Sequence, residues 1–324
     1  MQGLDEISAI LLFSGMGVYA LAFIAFTLDL ARRTAAVSDG AVSGAERIAA
    51  ARTAGGSVTT KVRPPVTATP SGNRKESVAL RIGVVLAVLG WVLHLGATVL
   101  RGVAAERVPW ANMYEFSMTG TLLIMAVFLL ALTRKDLRFL GAIVTGLVVL
   151  MLGVTSVGFR VDVVPLPDAL KSYWLVIHVL VAILATSFFT IGFALSVVQL
   201  IQARREAGNG TPRFALPGAI PGALALENAA YRLIVVGFAF WTFTLIAGAI
   251  WAENAWGRYW GWDTKEVWTF IIWVIYAGYI HARATRGWRG SRSAWLAIIG
   301  YSAVLFNFGI VNVFFKGLHA YSGL

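Results

Sequence analysis

The sequence predicts an all-α, polytopic membrane protein with about eight transmembrane helices. Of its 324 residues, 58% are hydrophobic and only 13% are charged, and the mean hydropathy is +0.74. These values are typical of membrane proteins. Apolar runs of about 20 residues, long enough to cross a ~30 Å hydrocarbon core, also recur along the whole chain.

Each apolar run predicts one helix. In chain order the runs lie at 8–29, 79–100, 115–133, 139–157, 173–200, 231–251, 267–281 and 294–315. The first is interpreted as a retained transmembrane helix over 1–30, because no basic segment typical of a cleavable signal precedes it. Residues 31–78 contain mostly Ala, Gly, Ser, Thr and Pro, which predicts a disordered cytoplasmic loop. The remaining seven helices form a core over 79–324.

The basic residues predict the orientation. The connections after the first, third, fifth and seventh helices hold 20 Lys and Arg, and the alternate connections hold seven. The positive-inside rule therefore predicts that both termini and the Trp-rich segment 251–268 are extracytoplasmic in a cell membrane. The net charge of +11 is scattered between the spans and forms no face for nucleic acid. The absence of cysteine excludes disulfides and thiolate sites in this chain.

The segment from 251 to 273 contains six of the twelve tryptophans. A lone Trp is typical of interface anchoring, but WAENAWGRYWGWDTKEVW crowds several rings and charges around Gly257 and Gly261, whose backbones permit sharp turns. The pattern predicts a surface for a flat, apolar ligand with ionised edges. The candidate binding residues are Trp256, Arg258, Tyr259, Trp260, Trp262, Asp263, Lys265 and Trp268.

Four histidines lie in or beside the apolar segments. His178, near the start of the fifth span, and His319, after the last span, are predicted at the depth of the Trp-rich segment. Neutral imidazoles beside an aromatic surface favour ligation of a metalloporphyrin iron. His281 ends the seventh span at the opposite side, where it either interacts with the helix dipole or ligates an inner haem. The role of His94 is left open.

Two further features have alternative interpretations. The first outward loop carries Arg101 and Arg107, which either bind ligand carboxylates or anchor the membrane interface. Asp263 and Glu266 either assist chemistry or, in the favoured interpretation, pair with Lys265 or orient the loop. Phosphate-binding loops, Rossmann fingerprints, HExxH and catalytic triads are absent.

At WGRYWGWDTKEVW the chain resembles the tryptophan-rich WWD signature of haem-handling membrane proteins. The segments PWANMYE, YWLVIH, YAGYIHAR and FNFGIVNVFFKGLHAYSG further resemble the CcsA family, the membrane subunit of the System II cytochrome c synthase. The related CcmC and CcmF proteins share the signature but fit the flanking motifs less well. The resemblance covers most of the chain from about residue 80.

This resemblance implies a function in cytochrome c biogenesis. It implies that haem b is ligated by His178 and His319 against the WWD surface, and that His281 belongs to an inner haem site. It also implies a separate ResB/Ccs1-like partner and apocytochrome c, whose CxxCH thiols receive the haem; the chain would then be a subunit of a cytochrome c haem lyase. A haem exporter that supplies a separate chaperone and a b-type membrane electron carrier are the alternatives.

Overall fold

A computed structural model describes residues 2–53, 77–166, 171–208, 220–285, 287–315 and 317–319. Within these ranges the secondary structure is entirely helical, which confirms the all-α prediction. The eight long helices are α1 (Gln2–Thr53), α2 (Val78–Ala105), α3 (Met113–Leu132), α4 (Gly141–Gly158), α5 (Tyr173–Glu206), α6 (Ala223–Trp256), α7 (Thr264–Thr285) and α8 (Ser291–Phe306). After α8, the chain forms a π-helical turn (Asn307–Val311) and one last helical turn (Asn312–Phe314).

Among the described residues, seven helices are long and apolar enough to cross a membrane. They are all the long helices except α7, which carries Lys265 and Glu266 in its first turn and Arg283 in its last. The helices confirm an integral, multi-pass membrane protein.

The first helix is longer than the sequence predicts. Disorder is predicted from residue 31, but α1 continues to Thr53, so that prediction is wrong for 31–53. The many alanines of this stretch are strong helix formers, and their propensity outweighs the low content of large apolar residues. The rest of the predicted loop, 54–76, lies outside the described residues.

The helices pack into two groups that share α5 and α6. One hydrophobic cluster joins α1 to α4 with the C-terminal half of α5 and the N-terminal half of α6, and a second joins α5 to α8. The close approach of helices α7 and α8 depends on small residues. At Gly300 of α8 a Cβ would lie only 2.8 Å from the ring of Tyr276 of α7. The Tyr276 ring in turn stacks on Phe189 of α5, with 3.9 Å between the ring centroids. Small residues at helix contacts are common in membrane proteins because they bring backbones together.

One end of the bundle gathers both ends of the described chain. Helices α3, α5 and α7 begin there, and α2, α6 and α8 end there. Asp5, in the first turn of α1, forms an ion pair with Arg101 of α2 at 2.6 Å. His319, beyond α8, reaches Asp263, which directly precedes α7. The candidate site lies at this end.

Candidate functional site

A large cavity opens at this end between α3, α5, α6, α7 and the segment after α8. It contains about 1320 Å³ of empty space, its open mouth included. Its wall is mostly apolar. The sequence-predicted residues that line it are His178, Trp256, Tyr259, Trp260, Lys265 and His319.

His178 enters the cavity from the second turn of α5. Ser172 caps this helix by accepting the backbone N–H of Trp174 at 3.2 Å. The imidazole packs over Gly248 of α6, where a Cβ would lie 2.7 Å from its Cε1, and meets Trp251 edge-on at 5.5 Å. Its Nδ1 is buried and forms no well-aligned hydrogen bond among the described residues. The ring lines the cavity wall, so the site suits a ligand that engages this imidazole through its other nitrogen.

His319 reaches the same cavity from the end of the chain. Its Nδ1 lies 2.6 Å from Oδ2 of Asp263, and its backbone N–H donates to the same oxygen at 3.3 Å. The hydrogen bond from His319 is the main reason that the pKa of the Asp263 carboxyl lies below its usual value; partial burial opposes it. This arrangement fixes the ring through Nδ1 and leaves Nε2 without a hydrogen bond among the described residues.

The loop between α6 and α7 is held by its own backbone and by Glu266. Gly257 ends α6 in the left-handed conformation, φ 69°, which favours glycine. The buried Glu266 carboxylate accepts the backbone N–H groups of Gly261 and Asp263 at 2.8 and 3.0 Å. Thus Glu266 orients the loop, as the favoured interpretation of the sequence has it, and reaches back to the residue before the helix as in a capping box.

Lys265 joins α7 to the end of α8. Its ammonium donates to the backbone carbonyl of Asn307 at 2.9 Å and to Oδ1 of Asn312 at 2.8 Å. These residues begin and follow the π-helical turn, in which the altered hydrogen-bond pattern makes backbone carbonyls available. Asp263 therefore hydrogen-bonds His319, and Lys265 hydrogen-bonds the residues that follow α8. Asp263 and Lys265 also interact electrostatically, as one of the interpretations of the sequence has it.

The aromatic candidates take different positions. Trp256 meets the His319 ring edge-on at 4.8 Å, and Trp260 lines the cavity. Trp262 adopts a positive φ of 58°, is 75% exposed, and touches Trp260 edge-on at 5.9 Å. Trp268 packs against Phe306, 4.3 Å between centroids, at the base of the second core cluster. The structure therefore places only part of the WWD surface in the cavity wall.

Three other residues lie outside the cavity: the predicted Arg258 and His281, and His94, whose role the sequence leaves open. Arg258 is exposed, with its guanidinium folded over the space beside Gly261. His281 is exposed near the opposite end of α7. His94 is fully buried in α2, and its ring meets Tyr19 of α1 edge-on at 6.0 Å. The structure brings neither His281 nor His94 to the pair formed by His178 and His319.

A buried ionic cluster supports the α3 wall of the cavity, and the sequence analysis does not assign it. Glu115 is fully buried and accepts Arg101 Nε at 3.0 Å, an Arg107 guanidinium N–H at 2.7 Å and the backbone N–H of Ala111 at 3.0 Å. Both arginines are therefore engaged by protein carboxylates. Asn112 caps α3 by accepting the Glu115 N–H at 2.9 Å, and this Asn-x-x-Glu pattern is the sequence signal that predicts such a cap.

The donor set suits a macrocyclic iron complex better than a bare metal ion. No group of three His, Cys, Asp or Glu side chains in the described part of the chain could hold a metal ion. A porphyrin supplies four nitrogens of its own and requires only axial ligands. Two imidazoles in an apolar, indole-lined cavity are the type of ligand that such a complex requires.

Comparison with known proteins gives consistent matches. The chain matches the family model of the cytochrome C assembly protein over residues 110–319. It is 34% identical over 258 residues to the cytochrome c biogenesis protein CcsA of Guillardia theta, covering 74% of this chain and 84% of the relative. It is 33% identical over 273 residues to the CcsA protein of Synechococcus sp. (strain JA-3-3Ab), covering 68% and 79%.

A solved structure shares the fold. The cytochrome c heme lyase CcmF superposes with a TM-score of 0.63 at 16% sequence identity. The superposition covers 99% of this chain but 50% of that protein, so the chain spans half of its length. At this identity the likeness concerns the fold alone.

Proposed function

Because the chain belongs to the cytochrome c assembly protein family, we propose that its cavity binds haem b and presents it for covalent attachment to apocytochrome c. Membership of this family places the protein in cytochrome c maturation. The haem site, the partner and the attachment step are the proposal. In it the chain acts as a subunit of a cytochrome c haem lyase.

The observation that carries the proposal is the convergence of His178 and His319 on one cavity. They come from helix α5 and from the segment after α8, 141 positions apart in sequence. Both imidazoles line the cavity, and Trp251 and Trp256 lie edge-on to the two rings. Indoles beside two imidazoles fit a flat aromatic ligand with axial ligation.

In this proposal the residues of the chain bind haem, orient it and shield it from water. His178 and His319 would hold the iron, and Trp256, Tyr259 and Trp260 would border the macrocycle. When bound, haem supplies two vinyl groups, and each takes up the S–H of one CxxCH thiol without net oxidation. The apolar wall limits access of water, so the contribution of the protein is mainly positioning.

Charged groups at the mouth complete the proposal. Arg258 is exposed beside the cavity, so its guanidinium is free to approach a haem propionate. Lys265 lines the cavity but already bonds α8, and we assign it to supporting the wall. Trp262, Asp263 and Trp268 act through their neighbours Trp260, His319 and α8.

His281 belongs, in this proposal, to an inner haem site shared with a ResB-like membrane subunit. Its exposure on α7 fits a ligand completed by another chain. The distribution of Lys and Arg supports an orientation in the cell membrane with both termini and segment 251–268 on the extracytoplasmic side. Haem then passes from the His281 end towards the cavity.

Co-expression of the full chain with a ResB-like subunit and an apocytochrome c tests the proposal. Covalent cytochrome c formed without an added haem chaperone supports the lyase function. Transfer of haem that requires a separate chaperone would instead indicate an exporter. Cytochrome maturation that survives replacement of both His178 and His319 by Ala, in variants that accumulate normally, would refute the site.

A further inference from the structure

We propose that the two axial ligands are unequal: Asp263 positions His319 as the retained ligand, and His178 is the ligand that an incoming imidazole replaces. The inference rests on the proposed haem site. It adds a positioning residue, Asp263, and assigns the side of the haem at which the CxxCH histidine of apocytochrome c binds.

On one side of the proposed haem site, His319 is held in place by hydrogen bonds to Asp263. Oδ2 of Asp263 receives both the ring Nδ1 and the backbone N–H of His319. The other carboxylate oxygen lies against Gly317, where any Cβ would collide with it. Asp263 is itself fixed, because its backbone N–H donates to the buried Glu266. The imidazole is thus held at its ring and at its backbone.

The His178 side has weaker support. Its buried Nδ1 forms no well-aligned hydrogen bond among the described residues, and the polar contact of the ring is with the uncharged backbone of Thr244. Its neighbours are the backbone of Gly248 and the edge of Trp251. These contacts confine the ring sterically but do not strengthen it as a donor.

This difference controls ligand strength. A carboxylate that accepts the distal N–H of a ligating histidine fixes its tautomer and raises its basicity, and loss of such a partner typically costs 10–100-fold in metal affinity. His319 has a carboxylate partner, whereas the partner of His178 is an uncharged backbone group. The bond between iron and His178 is therefore the weaker one.

The weaker bond gives the transfer step a direction. An apocytochrome carrying CxxCH must provide its own axial histidine while its thiols approach the vinyl groups. Exchange at His178 releases one protein ligand while His319 keeps the haem in the cavity. Exchange at His319 would have to break the iron bond of the better-supported imidazole.

Single substitutions in the full chain, co-expressed with its partner subunit, test the order of the ligands. We expect His178→Ala to retain haem with a vacant axial position that free imidazole fills, as seen in its optical spectrum. We expect His319→Ala to bind haem about tenfold more weakly than His178→Ala, by the magnitude above. Equal losses, or a greater loss in His178→Ala, overturn the inference while leaving the haem site intact.

A double-mutant cycle tests Asp263 itself. Asp263→Asn is expected to weaken haem binding about tenfold in the wild-type and His178→Ala backgrounds, and to have no further effect in His319→Ala. It should also raise the haem reduction potential, because a less basic imidazole stabilises ferric iron less. Asp162→Asn, the same change at an exposed loop residue, is the control.

The outcomes separate the two proposals. An Asp263→Asn effect that persists in the absence of His319 indicates a general structural role and overturns the inference. Haem spectra unchanged by either histidine substitution remove the haem site as well.

Discussion

The buried cluster around Glu115 gives a prediction that is independent of haem. Glu115 is fully buried, as is Arg101, and accepts three side-chain N–H groups and one backbone N–H. Glu115→Gln keeps the shape of the side chain but removes its charge and turns an NH₂ group towards the two arginines. The change leaves two guanidinium groups without their shared carboxylate in a largely buried place.

The contacts set the expected size of the effect. Removal of one partner from a buried ion pair costs roughly 3–5 kcal/mol. Arg101 keeps Asp5 at 2.6 Å and the carbonyl of Val161 at 2.9 Å, so we expect the lower end, about 3 kcal/mol. At about 2 °C per kcal/mol for a chain of this size, the Tm should fall by about 6 °C.

Thermal unfolding of the purified protein in one detergent measures this effect. Glu106→Gln is the matched control, because Glu106 is an exposed residue of the same type just after α2. The variant should also bind haem more weakly, since the cluster supports the cavity wall that includes Asn112. A Tm for Glu115→Gln equal to that of Glu106→Gln would show that the cluster does not stabilise the fold as argued.

Three further predictions concern the cavity itself. Gly248→Ala places a methyl group 2.7 Å from the imidazole of the α5 histidine and should reduce haem occupancy at least threefold, whereas Gly278→Ala, which meets nothing within 4 Å, should not; equal occupancies would contradict the packing. Lys265→Met removes two hydrogen bonds to the end of α8 and, at roughly 1.5–3 kcal/mol for a charged hydrogen bond, should lower the Tm measurably; an unchanged Tm would show that this link is dispensable. Trp260→Ala should weaken haem retention in the purified protein more than Trp262→Ala, because only Trp260 lines the cavity; the opposite order would place the haem on the exposed face of the loop.

The helices and the depth of the two histidines are predictable from the sequence because both depend on local quantities. Run length determines which segments can span a hydrocarbon core. The position of His178 within its run and of His319 after the last run determines their depth. A shared depth is necessary for a shared cavity but does not establish it, since helix order around the bundle is set by packing.

The partners of the charged residues could not be predicted. Asp263 and His319 are separated by 56 positions, and only the packing of α7 against α8 brings them together. The sequence offers a nearer partner in Lys265, but that side chain is drawn to carbonyl and amide oxygens at the π-helical turn. Long-range contacts of this kind depend on tertiary structure and leave no local pattern.

The orientations of the side chains in the Trp-rich segment also could not be predicted from the sequence. A positive φ at Trp262 turns its side chain to the surface, and such a conformation is uncommon for a residue other than glycine. The helix beyond residue 31 was also not predicted, because the low content of large apolar residues there indicates disorder whereas the many alanines favour a helix.

A structure of the haem-loaded full chain bound to its ResB-like subunit tests the central claim most directly. We predict one haem in the cavity, with its iron ligated by the Nε2 atoms of His178 and His319 and the Asp263 carboxylate still bonded to His319. A haem bound outside this cavity, or an iron that neither imidazole reaches, would contradict the account.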